Sequence, residues 1–295
     1  MFYGLHDASV IRLVQIALHE DIGDGDITTE SIFHEDSLAC ATVLAKQSGV
    51  ICGLRIAELV FQDLSSDVNW LATVEEGTEV EAGTIIARVE GSSRALLSGE
   101  RTALNFLQRM SGVATNARRF VKAVEGTESI ILDTRKTIPG WRILDKYAAK
   151  IGGAHNHRIG LFDMVMIKDN HIAAAGGIRP AIRKCREEIR NERIRIEVET
   201  QTFQDVWEAV ECGGIHRIMF DNFTPERMKK AVEFVDKRYE TEASGGITLN
   251  NVREFAETGV DYISIGAITH SAPALDISMD IVVTKPMTWV STAKS

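Results

Sequence analysis

The sequence predicts an α/β protein, with a small α+β domain followed by an incomplete α/β barrel. Three observations predict this. Beyond residue 129 the chain repeats strand, polar end and helix, and helical crossovers between successive strands make the sheet parallel. Every one of those strands ends in chemistry. A barrel brings several strand ends to one mouth, whereas an open doubly wound sheet concentrates its site at one switch point. Six visible units fall short of the eight in a full barrel of about 250 residues, so the barrel is smaller or incomplete.

The elements follow in order. Val10, Leu13, Val14, Ala17 and Leu18 recur at helical spacing and lead into the turn-rich GDGDITT. Short β-type runs follow in ATVLAKQSGVICG, and VEEGTEVEAGTIIARVEG reads as tight hairpins with glycine corners. A swinging-arm lipoyl module uses similar hairpins, but no lysine stands at the turn. SGERTALNFLQRMSGVATNARRFVKAV predicts one or two helices with Leu104, Leu107, Phe120 and Val121 among their apolar positions. The texture changes near residue 113. Strands are then expected at Ser129 to Asp133, Asp163 to Ile167, Ile194 to Val198, Ile215 to Phe220, Tyr239 to Ala243 and Asp261 to Ile265. Thr224-Pro225-Glu226 and Thr202 with Asp205 mark helix starts, while Gly213 and Gly259 mark stops.

Composition sets the outer bounds. The 295 residues suit two domains or one large barrel, and 44% apolar with 25% charged residues excludes disordered and collagen-like chains. A net charge of −9 argues against a generic nucleic-acid or membrane-surface protein. That charge is unevenly spread: residues 135–171 hold seven Lys or Arg against three Asp, a local +4 that suits a small anionic ligand. The four cysteines have no CxxC pair and no zinc-ribbon spacing, which predicts reduced residues. The N-terminus lacks a basic segment followed by an apolar run, so a cytoplasmic location is the expectation.

The strand ends nominate the site. Arg135 and Lys136 place a planar guanidinium and a point charge beyond the first barrel strand, where carboxylate or phosphate can be bound. Asn156, His157 and Arg158 add donors. Lys168, after the apolar run MVMI, serves either a Schiff base or, as an ammonium, an anion. Glu199 and Asp221 end adjacent strands and offer hard oxygen ligands to Mg²⁺ bridging phosphates; Glu197 has the same parity, but Glu199 is nearer the strand end. Ser244-Gly245-Gly246 reads as strand, glycine turn and helix start, a phosphate site at the penultimate strand, with Gly266 and His270 after the last.

Taken together, ALHEDIGDGDITT, SGERTALNFLQRMSGVAT, LDTRKTIPGWRILDKYAAKIGGAHNHRIGLFDMVMIKDNHI, EVE, FDNF, EASGGI and VDYISIGAITHS resemble the quinolinate phosphoribosyltransferases, or carboxylating nicotinate-nucleotide pyrophosphorylases. The resemblance spans nearly the whole chain. Trp141 replaces a smaller apolar residue, and the segment from Lys168 to Glu199 is slightly long for that family. The resemblance implies an N-terminal sandwich-like domain over residues 1–112, rejoined by residues 275–295, and an open barrel of about seven strands over 113–274. It implies transfer of phosphoribosyl from phosphoribosyl pyrophosphate to quinolinate with loss of CO2, giving nicotinate mononucleotide for NAD synthesis. Arg135, His157, Arg158 and Lys168 would bind quinolinate, with Arg101 contributed by the other subunit of a homodimer or larger even-numbered oligomer. Lys136, Glu199 and Asp221 would surround phosphoribosyl pyrophosphate and Mg²⁺, the two acids holding the metal directly or through water; Lys136, Lys168, Glu199 and Asp221 form the catalytic set. Ser244, Gly245, Gly246, Gly266 and His270 would hold the 5-phosphate. The rival readings are a molybdenum-transport-associated paralogue acting on another base, a Schiff-base lyase using Lys168, and a non-catalytic binding protein.

Overall fold

The computed structural model describes residues 5, 7–189, 191 and 193–284. Two compact units emerge, residues 1–115 with 273–295, and residues 116–272. The expected C-terminal return over 275–295 includes residues 285–295, which lie outside the described residues.

In the first unit, Asp7 caps α1 (Ala8–Ile22) by accepting the Ser9 N–H at 2.8 Å, and Val10, Val14 and Leu18 form its buried stripe. Asp26 likewise caps α2 (Ile27–Ile32) through the Thr29 N–H at 2.9 Å. β1 (Leu38–Ala45) buries alternate residues, Ala39, Ala41, Val43 and Ala45. β2 (Gly49–Val50) leads to α3 (Leu54–Leu64), whose first amide groups face the Glu76 carboxylate across Gly53. β3 (Asn69–Ala72), β4 (Glu79–Val80) and β5 (Ile85–Ser92) follow, then the 31-residue helix α4 (Ser93–Ala123). Phe61 of α3 stacks on Trp70 of β3, centroids 5.9 Å apart, so the helix lies against the sheet.

Of the tight hairpins expected over residues 74–91, the one joining β4 to β5 does not form. β4 pairs with β2, while β5 pairs with β1 and β3. Thr84 O accepts from the Ala45 N–H and the Gly83 N–H donates to Ala45 O at 2.7 Å, so the glycine corner binds the end of β1 and hands the chain from one sheet to the other. The region expected as one or two helices is the single helix α4.

The second unit contains β6 (Ile130–Leu132), α5 (Arg142–Ile151), β7 (Met164–Ile167), α6 (Asp169–Ala175), α7 (Ile178–Glu188), β8 (Arg195–Thr200), α8 (Phe203–Cys212), β9 (Arg217–Asp221), α9 (Pro225–Val235), β10 (Glu240–Ser244), α10 (Val252–Ala256), β11 (Tyr262–Ser264) and α11 (Ala267–His270). β12 (Ile277–Thr284) returns to the first unit and extends its antiparallel sheet to β12-β1-β5-β3. The barrel strands form a parallel sheet in the order β6-β11-β10-β9-β8-β7. Each strand from β8 to β11 neighbours its predecessor, and the first strand flanks the last. This cyclic order is that of a barrel, without the reversal of a doubly wound sheet. The ring is open between β6 and β7. The described residues give six barrel strands against the about seven that the resemblance implied, and a single bridge, His155 pairing with Leu132, stands beside β6.

The strands are short and apolar where they face the helices: Ile131, Val198, Ile218, Phe220, Ala243 and Ile263 are all buried. Gly176 and Gly177, at φ +89° and +132°, split the β7–β8 crossover into α6 and α7, which accounts for its extra length.

Gly112 makes the first unit's closest backbone approach. A Cβ built there would lie 2.0 Å from Pro273 O and 3.0 Å from Ala274 Cα, both backbone atoms that cannot swing aside. Gly112→Ala should cost about 3 kcal/mol of stability. A thermal midpoint equal to the wild type would show that this approach is not a constraint.

Candidate active site

The site is assembled at the C-terminal ends of the barrel strands, starting with Asp133 after β6. This residue is fully buried, and a buried carboxylate needs donors on its oxygens. Lys146 Nζ of α5 and the His157 N–H, 2.8 Å away, donate to Oδ1, while Asn156 Nδ2 donates to Oδ2 at 2.6 Å. Burial raises the Asp133 carboxyl and lowers the Lys146 ammonium from their ordinary pKa values, each opposed by the other's charge. The pair fastens residues 133–136 and 155–158 to α5.

Those two segments carry Arg135 and Arg158. The Arg158 pKa lies below the ordinary guanidinium value, first through burial and then through the charge of Arg135, so the two cations are near each other. Arg158 Nη1 donates to Met164 O at 3.0 Å. Arg135 Nε is buried with no hydrogen-bond partner among the described residues. Such a concentration of like charge is a receptor for an anion with several oxygens.

Lys168, after β7, donates from Nζ to Glu199 Oε2 at 2.6 Å. The Asp221 carboxyl is raised above its ordinary pKa by burial and then by the charge of Glu199, while Lys168 and Lys136 pull it down. The expected catalytic set, Lys136, Lys168, Glu199 and Asp221, is therefore brought together electrostatically at the ends of β6 to β9.

Asn222 shapes the next corner. Its φ is +58°, its N–H donates to Ser244 O at 2.9 Å, and its Nδ2 donates to Asp221 Oδ2 at 2.8 Å. A Cβ on Gly245 would lie 2.2 Å from Asn222 Oδ1, so only glycine fits beside it. The expectation of a helix starting directly after this glycine turn is corrected. Residues 248–251 form a turn, with Asn251 Oδ1 accepting the Thr248 N–H at 2.7 Å, and α10 begins at Val252. Ser244, Gly245 and Gly246 thus form a glycine bend without a helix N-terminus immediately behind it. At the end of β11, a Cβ on Gly266 would meet Lys136 Cδ at 2.8 Å and His270 Cδ2 at 3.1 Å, which places these three residues side by side. Thr269 Oγ1 donates to Lys136 O at 2.8 Å and anchors that loop from below.

His157 stands apart from the mouth. Its ring is buried, Nδ1 accepts the Arg158 N–H at 2.7 Å, and Nε2 faces Glu197 Oε2 at 3.1 Å and Glu242 Oε2 at 3.3 Å. Burial disfavours the charged ring but the two carboxylates outweigh it, so its pKa is raised to about 9; a second proton, on Nδ1, would displace the Arg158 amide. Both ring nitrogens are thus engaged inside the protein. Arg217 completes this interior network by donating to Glu242 at 2.6 Å and to Glu240 at 3.0 Å. Glu242 and Arg217 were not singled out from sequence; Arg217 had a signal as a charge ahead of the apolar run IMF, whereas Glu242 had none in the polar strand ETEAS. His157, Glu197 and Glu242 are the one trio of potential metal ligands within 4.8 Å among the described residues.

Arg101 lies on α4 in the first unit, exposed, beside Glu100 and Asp280 in the electrostatic field of that unit. A cavity of about 350 Å³ opens beside β7, lined by Arg158, Met164, Met166, Ile167 and His171 among others. It includes Arg158 alone of the expected residues and is mostly apolar, so it is not the convergence of charged strand ends described above. Among the described residues, no helix is long and apolar enough to cross a membrane.

Comparison with known proteins accords with this geometry. Residues 26–111 match the model of the quinolinate phosphoribosyl transferase N-terminal domain, and residues 113–280 that of its C-terminal domain. A probable carboxylating nicotinate-nucleotide pyrophosphorylase of Bacillus subtilis is 45% identical over 262 residues, 89% of this chain and 90% of its own. A decarboxylating quinolinate phosphoribosyltransferase of Nicotiana tabacum is 41% identical over 286 residues, 91% of this chain and 81% of its own. The solved nicotinate-nucleotide pyrophosphorylase of Francisella tularensis superposes with a TM-score of 0.89 at 38% identity, covering 93% of this chain and 96% of that one. With both domain models matched and the cationic and acidic strand ends in place, the chain belongs to the quinolinate phosphoribosyltransferase family.

Proposed function

We propose that this chain transfers the phosphoribosyl group of phosphoribosyl pyrophosphate to the nitrogen of quinolinate, with loss of CO2, to give nicotinate mononucleotide. The observation that carries the reading is the pairing of two unlike clusters at one sheet end: Arg135 beside Arg158, and the carboxylates Glu199 and Asp221 beside Lys168 and Lys136. Quinolinate is a dianion whose carboxylates need fixed cations. Arg135, Arg158 and Lys168 supply them, and His157 acts through the Arg158 amide.

The chemistry asks the protein for positioning and charge placement. As pyrophosphate leaves C1 of the ribose, the pyridine nitrogen attacks the same carbon and becomes a positively charged ring nitrogen. That ring takes the electron pair of the neighbouring C–CO2 bond as CO2 departs, and a proton replaces the lost carboxylate. Glu199 and Asp221 stabilise positive charge on the ribose, and Lys136 meets the phosphates. Lys168 sits as an ammonium donating to Glu199, an arrangement suited to anion binding and unsuited to a Schiff base, which requires the free amine.

Mg²⁺ fits the donor set. Two hard carboxylates, the charge of Glu199 close enough to raise the Asp221 carboxyl and neither in a trio of potential metal ligands among the described residues, suit an ion that keeps waters and takes the rest of its shell from phosphate oxygens. Glu199 and Asp221 would hold it, and when bound it neutralises charge growing on the departing pyrophosphate. The phosphate of the ribose would rest on Ser244, Gly245, Gly246, Gly266 and His270.

The reading is tested by following CO2 release from the 2-carboxylate of labelled quinolinate. Turnover should require quinolinate, phosphoribosyl pyrophosphate and Mg²⁺. Equal use of nicotinate, or full activity in excess chelator, sinks it.

The metal assignment has a readout independent of turnover. Asp221 titrates above its ordinary value in the fold, so its ionised form is less favourable folded than unfolded. Its contribution to stability is therefore best at acid pH and is lost as pH rises through the raised value. Mg²⁺ alone should raise the thermal midpoint more at neutral than at acid pH, because protonation of Asp221, favoured by its raised value, removes a ligand. A rise undiminished in the Glu199→Gln, Asp221→Asn double variant removes these residues as its ligands.

Arg101 supports a shared site. An exposed arginine on a long helix, with no hydrogen bond to a carboxylate among the described residues, is available to a second copy related by two-fold symmetry. Its loss should cost about 2 to 5 kcal/mol of quinolinate binding. Mixing Arg101→Ala with Lys136→Ala chains, each nearly inactive alone, should restore activity in hybrid dimers with one intact site. Verified hybrids without recovery would show that Arg101 serves its own subunit or none.

A further inference from the structure

We infer that one face of α5, formed by Arg142, Asp145 and Lys146, is the positioning element that sets the distance between the two arginines of the base site. This rests on the proposed function for the identity of the ligand, but the geometry is the chain's own. Residues at i, i+3 and i+4 share a helix face, and all three reach beyond the helix to the same two segments. Lys146 Nζ bridges Asp133 Oδ1 and, at 3.1 Å, His157 O. Arg142 bridges Thr137 Oγ1 and Ile159 O, each at 3.2 Å. Asp145 Oδ2 accepts the Ile138 N–H at 3.2 Å. Asn156 closes the clamp by donating to Asp133 Oδ2 and, at 2.8 Å, to Lys146 O.

Arg135 lies between the clamped residues 133 and 137, and Arg158 between the clamped residues 157 and 159. Two guanidiniums near each other repel, and nothing in an apolar strand end holds like charges at a fixed separation unless the backbone behind them is tied. Lys146 is the centre of that tie, because it alone joins the carboxylate of one segment to a carbonyl of the other, and it is buried to 4% exposure. Lys136 shares the clamped segment but has two anchors of its own, Thr269 on its carbonyl and close packing of its stem on Gly266. Loosening the clamp therefore falls mainly on the two arginines of the base side, while the phosphate side keeps further anchors.

The experiment compares Lys146→Met with wild type by calorimetric titration of quinolinate alone, by KM for each substrate, by kcat and by thermal midpoint. Lys146→Met should weaken quinolinate binding and raise its KM by roughly tenfold to a hundredfold, while the KM for phosphoribosyl pyrophosphate changes little. A purely structural lysine would lower the midpoint without this selectivity. Equal changes in both KM values, or none, overturn the inference. If Lys146→Met does not fold, Asn156→Ala is read in its place; it removes one tie to Asp133, leaves the ion pair, and should show the same selectivity at smaller size. Here too an unselective change, or none, overturns it. A wild-type protein that neither binds nor turns over quinolinate sinks the functional reading instead, which separates the two failures.

Discussion

The Asp133 carboxylate at the end of the first barrel strand is the constraint from which the second unit's working parts follow. A fully buried carboxylate left unpaired would be intolerable, and its three donors come from α5 and from the segment before β7. That requirement draws Asn156 and His157 to the end of β6 and fills, with one bridge at His155, part of the gap where the ring of strands is open. The opening and the site are thus connected. A closed ring would put a full strand there, whereas the short bridge lets residues 156–158 turn their donors toward the strand ends.

Charge in this protein is sorted by depth. Inside the sheet, Glu197, Glu242, His157 and Arg217 form a dry network with Arg217 also lying over the Tyr262 ring at 3.9 Å. At the strand ends, Glu199 and Asp221 face Lys168 and Lys136, and Arg135 faces Arg158. Parity places Glu197 and Glu199 on the same face of β8, yet two residues of rise, about 6.6 Å, put one in the interior and the other at the mouth. The interior network fixes His157, whose Nδ1 receives the Arg158 amide, so the deepest layer of charge orients the outermost.

Much of this was legible in the chain. The alternation of apolar runs with polar ends located all six barrel strands, and charge at the ends of consecutive strands pointed to a single mouth. What escaped was contact made by folding. Nothing local distinguishes Lys146 from any lysine on an amphipathic helix; its partner is thirteen residues away across a loop. Arg217 and Glu242 were not singled out either, because their pairing depends on which strands become neighbours. Among the hairpins expected over residues 74–91, the one joining β4 to β5 failed for the same reason, since glycine corners signal a turn and not the sheet to which each arm attaches. The helix expected after Gly246 was displaced because Asn251 captures the Thr248 amide in a turn of its own.

The ion pair between Lys168 and Glu199 connects the two halves of the chemistry. The ammonium can serve Glu199 or a carboxylate of the base, and Glu199 can serve Lys168 or a cation. A ligand that takes Glu199 releases Lys168 to the other side of the site, and by linkage a ligand that takes Lys168 frees Glu199 equally. Each substrate class thereby prepares the place of the other. In the absence of both, the pair neutralises two charges that would otherwise stand close to Asp221, whose carboxyl already titrates above its ordinary value through burial and the nearby Glu199. In the proposed function the residues that make the resting site tolerable are those that separate for the reaction, so the resting pair and the reactive arrangement are alternative uses of one set of charges.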